Sequence, residues 1–272
     1  MYSGVMLKTS VVLLNSITDL RAEHVGSVAI SGSHGGLYPA SVASRGGLHA
    51  VVFNDAGIGL NRAGVAGVAF LESLGMAAVA TSYMSCEIGS AEDTLMSGKV
   101  SVANGPAAAL GVEVGMSISE AVDNLCVALR PDGQMDEVVE ARQTQRLESG
   151  LVVTLLDSAS LVVSDDVGRV IVTGSHGGLI GGDVKRALKA PARIAVFNDA
   201  GIGRNGIGVT RLPALEAQGV AALTVSNETA EIGNALSALR SGRISRCNAT
   251  AAGLGAIEGL PLRDWLETLP VL

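Results

Sequence analysis

The sequence predicts an α/β protein built of two tandem homologous units, each a mainly parallel sheet covered by helices, the two related by a pseudo-two-fold axis. Two signatures, GSHGGL and VFNDAGIG, occur twice in the same order, which marks an internal duplication. Short apolar or β-branched runs alternate with helical patterns through each copy, as parallel strands with crossover helices do. Both signatures stand at the ends of predicted strands, where sheets of this kind bind ligands.

In the first unit, residues 1–130, strands are predicted at Val11 to Leu14, Val28 to Ile30, Ala50 to Phe53, Ala77 to Ala80 and Val100 to Ala103. Each is a short run with turn chemistry at its ends. Val65, Val68, Ala69 and Leu71 keep one apolar face until Gly75, and Ile88, Ala91 and Leu95 do the same until Gly98, so both runs read as helices closed by glycine. The segment 131–150 is polar. It opens with the turn signal Pro131-Asp132-Gly133 and is predicted to continue as a linker helix from Met135 to Leu147. The second unit, residues 151–272, repeats the first: Val172 to Leu179 matches Ile30 to Leu37, and Val52 to Gly59 returns unchanged as Val196 to Gly203. Glu87-Ile88-Gly89 matches Glu231-Ile232-Gly233, and Asn104 matches Asn248.

Hydrophobic residues make up 48% of the chain and charged ones 17%, a balance that supports a folded core. With aromatics at 3% and 35 glycines, that core must be built from aliphatic side chains between many tight turns. A net charge of -7 with no basic cluster argues against a nucleic-acid partner. The mean hydropathy is +0.41, yet the apolar runs are short and broken, so no membrane partner is expected. Met1 to Asn15 lacks the features of a signal peptide, and a cytoplasmic protein is expected. Cys86, Cys126 and Cys247 show no CxxC spacing, which indicates neither a disulfide framework nor a zinc site. No metal and no cofactor are expected; the partner is a small-molecule substrate or ligand, and a homo-oligomer is allowed.

Two loops carry the candidate chemistry. GSHGGL places a hydroxyl (Ser33, Ser175), an imidazole (His34, His176) and two glycines (Gly35, Gly36; Gly177, Gly178) directly after a strand, where backbone N–H groups can approach a ligand beside a titratable ring. A tight turn with a satisfied histidine is the plainer alternative. VFNDAGIG adds Asn54 and Asp55, or Asn198 and Asp199, which could orient the imidazole or bind substrate, or simply cap a turn. Gly201, Gly203 and Gly206 satisfy GxGxxG, but the first copy has Arg62 at the third position, so a dinucleotide-binding protein is the lesser alternative. Glu87 and Glu231 read as helix-starting residues favoured by the helix dipole.

The order of a strand ending in His-Gly, here His34-Gly35 and His176-Gly177, and a next strand ending in a small-residue loop resembles the caspase-like fold, particularly CHAT-type peptidase domains. That resemblance implies a catalytic histidine at His34 or His176 and a nucleophilic cysteine at the end of the following strand. The cysteine is absent; its place falls at Ala56 and Ala200.

The expected function is therefore a small-molecule hydrolase-like enzyme with His34 or His176 as general acid/base and Asp55 or Asp199 as its orienting partner. Ser33, Gly35, Gly36, Asn54, Ser175, Gly177, Gly178 and Asn198 would contact substrate. The alternative is a non-catalytic sensor that binds a small molecule or anion on the same loops.

Overall fold

A computed structural model describes residues 9–271. The first eight residues, part of the stretch expected to carry no leader sequence, lie outside the described residues, as does Leu272. In the first unit the elements are β1 (Val11–Leu14), β2 (Val28–His34), α1 (Leu37–Arg45), β3 (Ala50–Asn54), α2 (Ala66–Glu72), β4 (Ala77–Thr81), α3 (Ala91–Ser97), β5 (Val100–Ala103), α4 (Gly105–Ala109) and α5 (Ile118–Leu125). In the second they are β6 (Arg142–Arg146), β7 (Val152–Leu156), β8 (Val170–His176), β9 (Ile194–Asn198), α6 (Arg211–Glu216), β10 (Ala221–Val225), α7 (Ala235–Ser241), β11 (Ile244–Cys247), α8 (Ala249–Gly253) and α9 (Leu262–Glu267).

Two sheets result, ordered β1-β2-β3-β4-β5 and β11-β10-β9-β8-β7-β6. The strands β1 to β4 and β7 to β10 run parallel, while β5, β6 and β11 pair antiparallel at the edges. The continuous apolar character of the central strands reflects cover on both faces. Ile30, Val52 and Val79 face a layer containing Ile118 and Leu125 of α5, whereas Val51, Phe53 and Ala78 face Ala40 of α1 and Val68 and Leu71 of α2. The second sheet repeats this, with Val172 and Val196 against Trp265 of α9 and Ile171 and Phe197 against Leu212 and Leu215 of α6. Among the described residues no helix is long and apolar enough to cross a membrane.

The predicted linker helix does not form. Residues 134–141 run extended along α1, where Met135 N–H donates to Ser44 Oγ (2.9 Å) and Val138 N–H to Ser41 Oγ (3.2 Å). Arg142–Arg146 then joins the second sheet as β6, in register with Val152–Leu156. The backbone groups of this segment thus find partners on α1 and β7, which overrides a weak helical propensity. The dipole reading of Glu87 and Glu231 also fails. Helices α3 and α7 start at Ala91 and Ala235, capped by the side chains of Ser90 and Asn234, so both glutamates precede the helix by more than its cap.

The units lock through their VFNDAGIG loops. Leu60 N–H donates to Asn227 O (2.7 Å) and Arg204 N–H to Tyr83 O (3.2 Å); these are equivalent positions, and the reciprocity is that of a pseudo-two-fold relation. Ala56, Ile88, Ala200 and Ile232 form a small core between the halves. The loop backbone is left-handed through Ala56, Gly57, Ile58 and Gly59 and through their counterparts, a conformation that is strained for a β-branched residue. A Cβ at Gly57 would lie 2.6 Å from Asn227 Nδ2, so the fixed Ala-Gly-Ile-Gly flank is explained by close inter-unit packing.

Candidate functional site

Strands β2 and β3 are parallel neighbours with His34 opposite Asn54, and β8 and β9 place His176 opposite Asn198 in the same way. Both signature loops therefore leave the same edge of their sheet, as expected. Their side chains then part. Asn54 Oδ1 accepts from Ala56 N–H and Asp55 Oδ1 from Gly57 and Tyr83 N–H, each at 2.9 Å. Asn198 and Asp199 make the same bonds to Ala200, Gly201 and Asn227. These are side-chain turns that hold the left-handed loop. The expected His/Asp pairing is not formed, because one oxygen of each aspartate is engaged by two amides and both aspartates are buried, 3% exposed. Burial raises the Asp55 carboxyl above the usual range, against the lowering effect of its hydrogen bonds.

The histidines turn away from the aspartates. Gly36 N–H donates to His34 Nδ1 (3.1 Å) and Gly178 N–H to His176 Nδ1 (3.2 Å). A Cβ at Gly36 would lie 2.7 Å from the His34 ring, which is why a glycine stands two residues after each histidine. Since Nδ1 accepts, a neutral ring carries its proton on Nε2. Both rings are neutral near pH 7: burial lowers His34 to about 4, and burial, Arg211 and His34 hold His176 well below the ordinary histidine range. The glycine N–H groups expected to meet a ligand are spent internally, Gly35 and Gly177 on the carbonyls of Asn54 and Asn198. Ser33 and Ser175 line the cavity between the units, but each hydroxyl accepts a backbone N–H, from Ile17 (3.0 Å) and Ala159 (2.9 Å).

That cavity, of about 660 Å³, is shared by His34 and His176. Neither Asp55, Asp199, Asn54, Asn198 nor the paired glycines line it, and Gly201, Gly203 and Gly206 of the GxGxxG match lie away from it too. Its walls add residues that the sequence did not single out, Tyr38, Glu140, Lys185, Arg186, Lys189 and Arg211, and also Glu231, which the sequence assigned to a helix start instead. Glu231 accepts from Asn61 Nδ2 (2.6 Å) of the other unit and from Asn234 Nδ2 (2.9 Å). Arg211 is 2% exposed. It donates through Nε to Gly178 O (3.0 Å) and through Nη1 to the carbonyls of Arg186 and Ala187, and stands 5.1 Å over the Phe197 ring. Among the described residues no carboxylate lies within ion-pairing distance of it, and its Nη2 donates to no protein acceptor. Burial and Arg186 lower its pKa to about 10, so it is a cation at neutral pH.

The alanines at the position of the caspase-like cysteine are buried, at 1% and 2% exposure, and point into the inter-unit core. Cys86 lies behind Asn54, within 3.6 Å of its Nδ2 and 3.1 Å of Thr81 Oγ1; burial pushes its thiol up, opposite to an activated nucleophile. Among the described residues no three metal-ligating side chains cluster. No protein-family model, curated protein or solved structure matches the chain.

Proposed function

We propose that the chain binds a small organic molecule through an oxyanion or carbonyl oxygen in the cavity between its two units, with His34, His176 and Arg211 as the recognising donors. The observation that carries this reading is Arg211, a buried cation that lines the cavity beside two neutral imidazole N–H donors and is balanced by no carboxylate. Burying an unpaired charge costs several kcal/mol, and a ligand oxyanion would supply the missing partner through charge-assisted hydrogen bonds. The hydrolase reading with His as general base fares less well, because each Nδ1 is occupied and each Nε2 holds a proton. A binding role, or catalysis in which the histidines polarise a carbonyl, fits these protonation states.

The test is a thermal-shift screen of small carboxylates, followed by calorimetry and recovery of the ligand. Loss of one charge-assisted or donor hydrogen bond is worth about tenfold in affinity. His34→Ala and His176→Ala should each weaken binding by about that factor, with Asp55→Asn leaving it unchanged. Equal affinities in the wild type and both histidine variants would reject the reading, and conversion of the recovered ligand would identify an enzyme.

A further inference from the structure

The same cavity contains a second unbalanced charge. Among the described residues three carboxylates line it, Glu140, Asp157 and Glu231. Asp157 is fixed by the N–H groups of Ala141 (2.8 Å) and Ala235 (3.0 Å), and Glu231 by two asparagines. Glu140 differs. It comes from the segment joining the two units, it is half-buried, and it lies near the hydroxyls of Ser158 and Tyr38, the first of which donates to Ser160 Oγ (2.9 Å). No cation of the described residues lies within ion-pairing distance of it, although Lys185, Arg186 and Lys189 line the same cavity. Lys189 Nζ is turned to Ser160 O (2.6 Å) and Arg186 to Asp19 (3.4 Å), while Lys185 is exposed and pairs with no carboxylate of the described residues. Burial and the neighbouring Asp157 charge push the Glu140 carboxyl up to about 7, so the protein itself supports its charge poorly.

Of the charges that the protein withdraws from solvent around this cavity, the Arg211 guanidinium and the Glu140 carboxylate are thus unpaired and do not neutralise each other. We propose that its ligand is a small amino-acid-like zwitterion, whose oxyanion meets Arg211 and the two histidines and whose ammonium meets Glu140. This rests on the site assignment above and adds the second pole. The joining segment occurs once in the chain, so the two-fold-like cavity gains a direction, and a zwitterion would bind in one orientation. A dicarboxylate of similar length would place like charges at Glu140 and should be disfavoured.

Calorimetry at neutral pH with matched pairs tests this: propionate against β-alanine, butyrate against γ-aminobutyrate, valerate against δ-aminovalerate, with glutarate as the dianion. For the chain length that spans the poles, the amino acid should bind the wild type about tenfold more tightly than its parent acid. Glu140→Gln keeps the shape and removes the charge; it should erase that preference, leave the parent acid's affinity unchanged and raise that of glutarate. Equal binding within every pair in the wild type, or a preference that survives Glu140→Gln, would overturn the proposal while leaving the oxyanion site standing. Binding of none of the compounds, or parent acids that ignore the histidine substitutions, would remove the oxyanion site and this inference with it.

Discussion

The two units share their signature loops and differ in the chain immediately after the histidine. Beyond His34 the chain continues into α1, which lies so close to α2 that a Cβ at Gly67 would collide with the Gly36 carbonyl. Beyond His176 no such helix forms. Residues 180–186 make two short turns, and the position equivalent to Gly67 is Arg211, which binds the carbonyls left without helical partners. A second exchange accompanies the first. Gly181 N–H donates to Gly89 O (2.8 Å), whereas its counterpart, counted from the histidine, is Pro39, which has no N–H to offer. The two units therefore share a symmetric pair of imidazole donors, while the second has, where the first has a helix, a buried cation and a basic stretch of chain at the cavity wall.

The largest effect should come from removing that difference. Arg211→Ala leaves the buried carbonyls of Gly178 and Ala187 and the part-buried carbonyl of Arg186 without this donor and opens a void over Phe197, and should cost about 3–5 kcal/mol. Urea unfolding measures it. Arg211→Lys should recover only part, since an ammonium cannot reproduce the planar fork. A loss below about 1 kcal/mol for Arg211→Ala would show that the second unit does not depend on this side chain and that its loop is held by other contacts.

Next in size is the acid sensitivity of the histidine pair. His34 has its folded pKa lowered from 6.5 to about 4, so its contribution to stability is fully present above pH 6.5 and is lost as pH falls through 4. Integrated over that shift, the loss is roughly 3 kcal/mol. His176 acts in the same direction, and its neighbour Arg211 adds to the lowering. Glu140 works oppositely, because its raised pKa gives stability below 4.5 that is lost as pH rises through 7. Comparing wild type with His34→Ala cancels the Glu140 contribution, and the variant should lose less stability between pH 6.5 and 4. Imidazole titration by NMR supplies the direct reading: a midpoint near 6.5 for either ring would mean that the cavity is wet and the donors are not held neutral by burial.

The same contrast separates the parts of the molecule that are legible in the sequence from those that are not. The five strands expected in the first unit form where they are placed, because apolar runs covered on both faces leave a strong local signal; β2 merely extends to His34. The duplication locates His34 and His176, and the loops emerge together as expected. The aspartates mislead, since Asn54-Asp55 has the composition of a site and of a turn, and only the hydrogen-bond pattern tells them apart. Glu231 is visible as a repeated residue, but the helix to which it was assigned starts four residues later. Arg211 is visible in the aligned copies as the replacement of Gly67, a change no surface helix position would need. Glu140 cannot be seen, because the joining segment has no counterpart to compare and reads as a polar linker until its extended path along α1 brings it to the cavity.

The smallest effect expected from importing one unit's residue into the other is at Cys86, whose counterpart is Ala230. In the second unit Asn198 Nδ2 donates to the Ala230 carbonyl (3.0 Å), while in the first Asn54 Nδ2 meets the Cys86 sulfur at 3.6 Å. Sulfur is a weak acceptor, and removing it in Cys86→Ala deletes one small buried group together with weak contacts to Thr81 and Thr94. The cost should be about 1 kcal/mol or less, since the second unit shows that the same asparagine can be satisfied by the backbone carbonyl alone. Ligand binding should be unchanged, because Cys86 is fully buried and does not line the cavity. Thermal unfolding and calorimetry of the variant decide the matter. A loss of about 3 kcal/mol, the size of a large core truncation, would mean that Asn54 cannot adopt its counterpart's hydrogen bond and that the two units hold their loops by different means. Loss of binding at unchanged stability would instead bring the thiol into the site and revive the cysteine chemistry that the His-Gly resemblance implies.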